Sequence, residues 1–202
     1  MARPTPSIED IVKALGHRAQ DSSDFDLNPG IRPPAGRKLR PAAVLLAIHQ
    51  RPDGPHVILT KRSSKLRHHP GQIALPGGKL DESDPDHNFC ALREANEEIG
   101  LRPDQVRILG HLTCHETVTA FDVRPVVGVV EGDFTPVPEA GEVAEIFEAP
   151  LSHLLDLSRY RIEGRRWQGI KRHYFVVPWG PYYIWGATAR ILRGLAERMP
   201  QG

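Results

Sequence analysis

The sequence predicts an α/β protein in which helices sandwich a mixed β-sheet. Three observations lead there. Short apolar runs bounded by Gly, Pro and Asp have the length of strands. Amphipathic stretches with helical spacing are interleaved with them, and some of the strands are close enough to form hairpins. The 202 residues suffice for one medium domain with a real core and fall short of two full domains.

Taken in order, residues 7–15 combine a Ser7-x-x-Asp10 start with Ile8, Ile11, Val12 and Leu15 on one face, the pattern of a short amphipathic helix that caps the domain edge. Residues 22–41 are rich in Pro, Gly, Asp and Arg without periodicity and read as an extended arm. Residues 1–40 are therefore expected to form an N-terminal helix and arm, and 41–202 the main domain. Residues 42–49 and 56–62 are apolar runs separated by Arg51-Pro52-Asp53-Gly54-Pro55, which predicts an antiparallel pair. Further strands are expected at 105–112, 123–130 and 145–148, then a short helix at 151–155. A late hairpin over 159–167 and 173–179 turns around Gly169. A closing helix over 187–199 places Ala187, Ile191, Leu192 and Leu195 on one face.

Between these strands lies Leu75-Pro76-Gly77-Gly78, a polar loop, and a carboxylate-bearing helix that ends Glu97-Glu98-Ile99-Gly100-Leu101. Asp84 is the expected N-cap with Pro85 at the first helical position, and Gly100 suits a left-handed C-terminal cap. At about 100° per residue, Glu94 and Glu98 lie roughly 40° apart and Glu97 about 60° to the other side of Glu94. Phe89, Leu92 and Ile99 are expected on the opposite, buried side. Arg93 precedes Glu97 by one helical turn and is placed to orient its carboxylate. A solvated acidic face is the plain alternative. Against it, Glu97 and Glu98 crowd the end of the helix where the macrodipole disfavours negative charge, and no Lys in the helix compensates them. A divalent cation would, and hard oxygen ligands favour Mg²⁺ or Mn²⁺ over zinc.

Charge and composition exclude other classes. Lys and Arg number 26 against 25 Asp and Glu, so no global field favours long nucleic acid or an anionic membrane, and any phosphate site must be local. Two cysteines, Cys90 and Cys114, make neither a disulfide framework nor a paired metal motif, which points to a reducing cytoplasm. No run approaches the roughly 20 apolar residues of a membrane span, and neither end reads as a secretory or lipidation signal.

The segment Gly78, Asp84, Arg93, Glu94, Glu97, Glu98, Gly100 and Leu101 resembles the Nudix box, a loop-helix-loop that binds metal and diphosphate. Five residues separate Gly78 from Asp84, which stands where the family has Glu, and eight separate Asp84 from Arg93. This expansion, together with the upstream run from Leu59 to Gly78, is similar to the coenzyme A diphosphatase branch; Leu75 replaces the usual Phe before Pro76-Gly77-Gly78. The resemblance spans about residues 40–155, with Ile184-Trp185-Gly186-Ala187-Thr188 resembling the branch's ending. It implies an α/β/α Nudix sandwich and cleavage of coenzyme A, a small-molecule substrate, at its diphosphate. It also implies Glu94, Glu98 and Glu97 as metal ligands, with the Gly78 carbonyl as a further candidate. Arg93 and Glu97 are assigned to catalysis together with Glu142, the candidate base in a later loop.

Gly77 and Gly78 would admit phosphate oxygens, and Arg62, Lys65 and Arg67 supply positive charge for the diphosphate or the 3′-phosphate. A surface acid and solvated basic residues remain the plain readings of Glu142 and of these three. His68 and His69 point to opposite faces of an extended segment, and His111, Cys114 and His115 resemble a metal cluster only superficially; none is assigned as a ligand. Two other functions stay open: a Nudix hydrolase of ADP-ribose or other nucleoside diphosphate derivatives, and a non-catalytic nucleotide-sensing module. A homodimer is compatible with either.

Overall fold

In a computed structural model of the chain, the described residues are 6–66, 69–167 and 169–200. Arg67 and His68 lie outside them. Helix α1 (Ile8–Leu15) opens with Ser7 as N-cap in a reciprocal capping box with Asp10, as the Ser-x-x-Asp spacing predicts. The arm that follows contributes a short strand, β1 (Ser22–Ser23), which is not visible as periodicity because two residues have none. The apolar runs become β2 (Arg40–Arg51) and β3 (Gly54–Arg62), paired antiparallel with Ile48 opposite Val57. Two short strands, β4 (Ile73–Ala74) and β5 (Gly77–Lys79), lead into helix α2 (His87–Ile99). Then come β6 (Val106–His111), β7 (His115–Glu116), β8 (Phe121–Val130) and β9 (Val143–Pro150), followed by α3 (Leu151–Leu154). The hairpin β10 (Arg161–Trp167) and β11 (Ile170–Val176) turns at Gly169, and α4 (Gly186–Ala196) closes the chain.

Nine of these strands form one mixed sheet among the described residues. At its centre β2 runs parallel to β8 over ten paired positions and antiparallel to β3 and β5. The alternation along β2 shows how the layers are made. Ala42, Leu46 and Ile48 face a core shared with α1, α3 and α4, whereas Ala43, Leu45 and Ala47 face a second core shared with α2. Because both faces are covered, the strand reads as a continuous apolar run rather than an alternating one. The result is the expected helix-sheet-helix sandwich, with α2 alone on one side.

Two expectations about α2 are corrected. Its N-cap is Asp86, not Asp84: Asp86 is extended (φ −159°, ψ 179°) and its carboxylate accepts from the Phe89 N–H at 2.8 Å. Asp84 cannot serve because its carboxylate is already taken by Arg93 and by the Asp81 N–H. Phe89 does not pack inward; it is 49% exposed, while Cys90, Ala91, Ala95 and Ile99 fill the buried face. Starting the helix two residues later leaves the angular pattern unchanged, but Phe89 falls in the first turn, beyond the edge of the core.

Candidate functional site

The site is assembled where β5 is clamped between β2 and α2. Gly77 pairs with Val44, and a Cβ there would run into the Ala43 carbonyl and lie 2.6 Å from the Val44 Cα, so only glycine lets β5 lie on β2. Gly78 faces the other way. A Cβ there would overlap the Glu94 carboxylate and stand 2.6 Å from its Oε2. One glycine thus serves the sheet and the other leaves room for an acid side chain against the loop backbone.

Glu98 is 4% exposed and points into this junction. Its Oε2 accepts from the Gly77 N–H at 3.2 Å, and the Arg62 guanidinium lies 3.7 Å from its Oε1. Burial pushes its carboxyl up to about 7, with the charges of Glu94 and Glu142 adding to the rise and Gly77 and Arg62 opposing it. Burial also raises the Glu94 carboxyl, against the pull of Arg93. The loop before β9 brings the Glu142 main chain beside Ser63, next to Arg62, and the charge of Glu142 adds to the rise of both acids. That loop is tied down at both ends: Glu139 N–H donates to the Glu98 carbonyl at 3.0 Å, and Ser63 N–H donates to the Glu142 carbonyl at 2.7 Å. The Glu139 carboxylate in turn accepts from the Glu142 N–H at 2.7 Å.

Arg93 organises the acids. Its Nε and one terminal nitrogen grip the two Asp84 oxygens at 2.9 and 2.8 Å. The other terminal nitrogen donates to Glu94 at 2.9 Å and to Glu97 at 3.1 Å. This fork holds the Asp84 carboxyl down at about 2, and the same contact raises the pKa of Arg93. Sequence reasoning missed the Asp84 clamp, and the signal available was the acid itself, retained before Arg93 despite the altered spacing. Cys90 also went unassigned; its buried thiol, raised to about 11, lies 3.8 Å from the Gly78 carbonyl and 3.5 Å from that of Lys79.

The structure therefore brings together Arg62, Gly77, Gly78, Arg93, Glu94, Glu97, Glu98 and Glu142. Lys65 is exposed, with its own N–H on the Ser63 hydroxyl, and Arg67 lies outside the described residues. The histidines set aside as ligands have other partners: His111 meets Asn88 at 2.6 Å, and buried His115 bridges Ser22 at 2.9 Å and Asp24 at 3.2 Å. Among the described residues no three His, Cys, Asp or Glu side chains already converge as a cation cage. Glu94 and Glu98 could nonetheless hold a hard cation. Both carboxylates are raised by burial, and both lie against a glycine backbone free of Cβ atoms.

The model of the NUDIX domain matches residues 38–169. The chain belongs to the Nudix family. Among curated relatives, an uncharacterized Nudix hydrolase named NudL from Enterobacter sp. is 41% identical over 169 residues, covering 82% of this chain and 88% of that protein. Nudix hydrolase 15, mitochondrial, from Arabidopsis thaliana is 44% identical over 162 residues, covering 77% of this chain and 57% of its own. A solved MutT protein from Methanosarcina mazei aligns over 61% of this chain and 86% of its own, at 22% identity and a TM-score of 0.47. Nudix hydrolases act on pyrophosphate substrates and generally use a divalent metal such as Mg²⁺ or Mn²⁺. Among the described residues no helix is long and apolar enough to cross a membrane.

Proposed function

We propose that this Nudix protein hydrolyses the diphosphate of coenzyme A, giving 4′-phosphopantetheine and adenosine 3′,5′-bisphosphate. The observation that carries the proposal is the pairing of Glu94 and Glu98 with the Gly77-Gly78 backbone, with Arg62 alongside. Such a junction suits a group with two adjacent phosphoryls, since the loop backbone can approach one while the acid pair faces the other. Glu94 and Glu98, with Glu97 as a third candidate, would hold Mg²⁺ or Mn²⁺. The cation would neutralise the diphosphate oxygens and make water a better nucleophile at neutral pH.

The remaining tasks fall to the chain. Arg93 is the positioning residue that keeps Glu94 and Glu97 turned toward the loop, and Asp84 keeps Arg93 in place. Glu142 is the candidate to accept a proton from the attacking water. Arg62, Lys65 and Arg67 would hold the 3′-phosphate or the diphosphate by charge-assisted hydrogen bonds. The branch of the family, and so the choice of coenzyme A over ADP-ribose, rests on the upstream run that ends in Pro76-Gly77-Gly78 and on the expanded loop before Arg93.

The test is a panel of coenzyme A, ADP-ribose and nucleoside triphosphates incubated with Mg²⁺ or Mn²⁺, with products identified by mass. Coenzyme A should yield the two products named, and ¹⁸O water should label one of them at the attacked phosphorus. Release of inorganic phosphate with an intact diphosphate, or full activity in excess chelator, would overturn the assignment.

A further inference from the structure

On the face of the sheet opposite α2, a cavity of about 260 Å³ opens between α4, the chain that follows α1, and the link from β6 to β7. That volume corresponds to several waters. Its charge is lopsided: Arg18, Arg190 and Arg198 line it against one acid, Glu197. Glu197 is already engaged by Arg190 at 3.2 Å and by Arg193. Arg198 is the unusual member. It is 8% exposed, donates to the Thr113 hydroxyl at 3.0 Å, makes no ion pair with a described residue, and leaves its Nε without a partner among them.

A guanidinium taken out of water with a neutral hydroxyl as its hydrogen-bond partner loses hydration that the neighbouring charge of Glu197, already shared with Arg190 and Arg193, does not restore, and burial lowers its pKa. Buried charges persist in folded proteins when something pairs with them. A second observation concerns the wall. Gly194 lies within α4, where glycine costs roughly 1 kcal/mol relative to Ala. Nothing crowds it, since a Cβ there would come no nearer than 3.9 Å to Arg190. The close packing that forces glycine at 77 and 78 is absent, and the residue instead keeps the cavity wall bare.

We infer that this cavity is a second anion site, built for a phosphomonoester-type dianion that pairs with Arg198 and is flanked by Arg18 and Arg190. With the partners bonded to the lining residues counted, Arg18, Arg190, Arg193 and Arg198 stand against Glu197 and against Asp26, which holds Arg190 at 3.2 Å; the formal excess of two positive charges is one that a phosphate dianion balances and a single carboxylate does not. Planar guanidinium donors also match the phosphate oxygens in pairs. Such a ligand would tie the segment after α1 to the last helix, far from the acids on α2.

The experiment is calorimetric titration of the full chain with inorganic phosphate at constant ionic strength, with acetate as the carboxylate arm. Wild type should bind phosphate and gain thermal stability from it. Arg198→Met should weaken binding by about tenfold or more, since a charge-assisted contact is removed. It should fold at least as well in phosphate-free buffer, because an unpaired buried charge becomes an apolar chain. Gly194→Leu, which fills the wall without touching a charge, should also abolish the response, whereas Arg62→Ala at the α2 site should retain it. Wild-type-like phosphate binding in both Arg198→Met and Gly194→Leu, or acetate binding as tightly as phosphate, would overturn the inference.

Discussion

Gly78→Ala separates the chemistry of the α2 junction from its stability. An ideal Cβ at position 78 stands 2.6 Å from the Glu94 Oε2, whereas ordinary contact begins near 3.4 Å, so the carboxylate must withdraw by close to the difference. A shift of about 1 Å in a reacting constellation costs on the order of a hundredfold in rate, or roughly 2.7 kcal/mol of barrier. The fold should barely notice, because the obstructing atoms are the far end of a flexible side chain. At Gly77 the same substitution meets the Ala43 carbonyl and the Val44 Cα, which are backbone and cannot yield. The adjacent variants should therefore diverge: Gly78→Ala loses kcat with a melting temperature within a few degrees of wild type, and Gly77→Ala loses the melting temperature itself. Turnover of the cleaved panel substrate and thermal unfolding, measured on the same preparations, check both. Gly78→Ala turning over within threefold of wild type would refute the placement of Glu94, and equal destabilisation by both variants would refute the division of labour between the glycines.

Glu94→Gln and Glu98→Gln should each lower kcat by about two orders of magnitude or more, read by the same assay, and a chelator should abolish wild-type turnover. The Glu98 carboxyl is raised above its ordinary value to about 7, so its contribution to stability is full below the unfolded pKa and is lost as pH rises through about 7. In metal-free buffer, Glu98→Gln should therefore melt higher than wild type at pH 8, by roughly 3 kcal/mol of stability at most, and the advantage should vanish near pH 4. Asp84 shifts the other way: held down at about 2 by Arg93, it stabilises above the unfolded pKa and loses that contribution as pH falls through about 2. Asp84→Asn should consequently flatten the fall in stability between about pH 4 and 2, by roughly 2 kcal/mol, in acid-unfolding curves. Arg62→Ala should raise KM for coenzyme A more than for dephospho-coenzyme A if it contacts the 3′-phosphate, by about tenfold to a hundredfold, and equal losses on both would assign it to the diphosphate or the fold.

The sequence is most informative where one physical requirement dominates. The central strands are legible because burial on both faces demands unbroken apolar runs at 42–48 and 57–59, and α1 because Ser7 and Asp10 can form one capping arrangement. The acid helix is legible because its carboxylates sit at an unfavourable end. The start of α2 is not: Asp84 and Asp86 are equally good caps locally, and the choice is made by Arg93, nine residues after Asp84, which removes it from the competition. The two-residue strands β1, β4 and β7 escape because they owe their conformation to partners distant in the chain; Ser22 pairs with His115 across the arm. For the same reason the proximity of Glu142 to Glu94 and Glu98 is carried by a loop's main-chain hydrogen bonds and not by any spacing within the sequence.

Those bonds have a mechanical consequence. Two of the carbonyls at the end of α2 that lack helical partners, those of Glu98 and Ile99, are capped by Glu139 and Val137 at 3.0 and 2.9 Å. The loop is thereby the helix's own terminus wrapped around by a distant stretch of chain. It cannot swing open as an independent flap without uncapping the helix that carries the acids, so helix end and loop should move as one rigid piece.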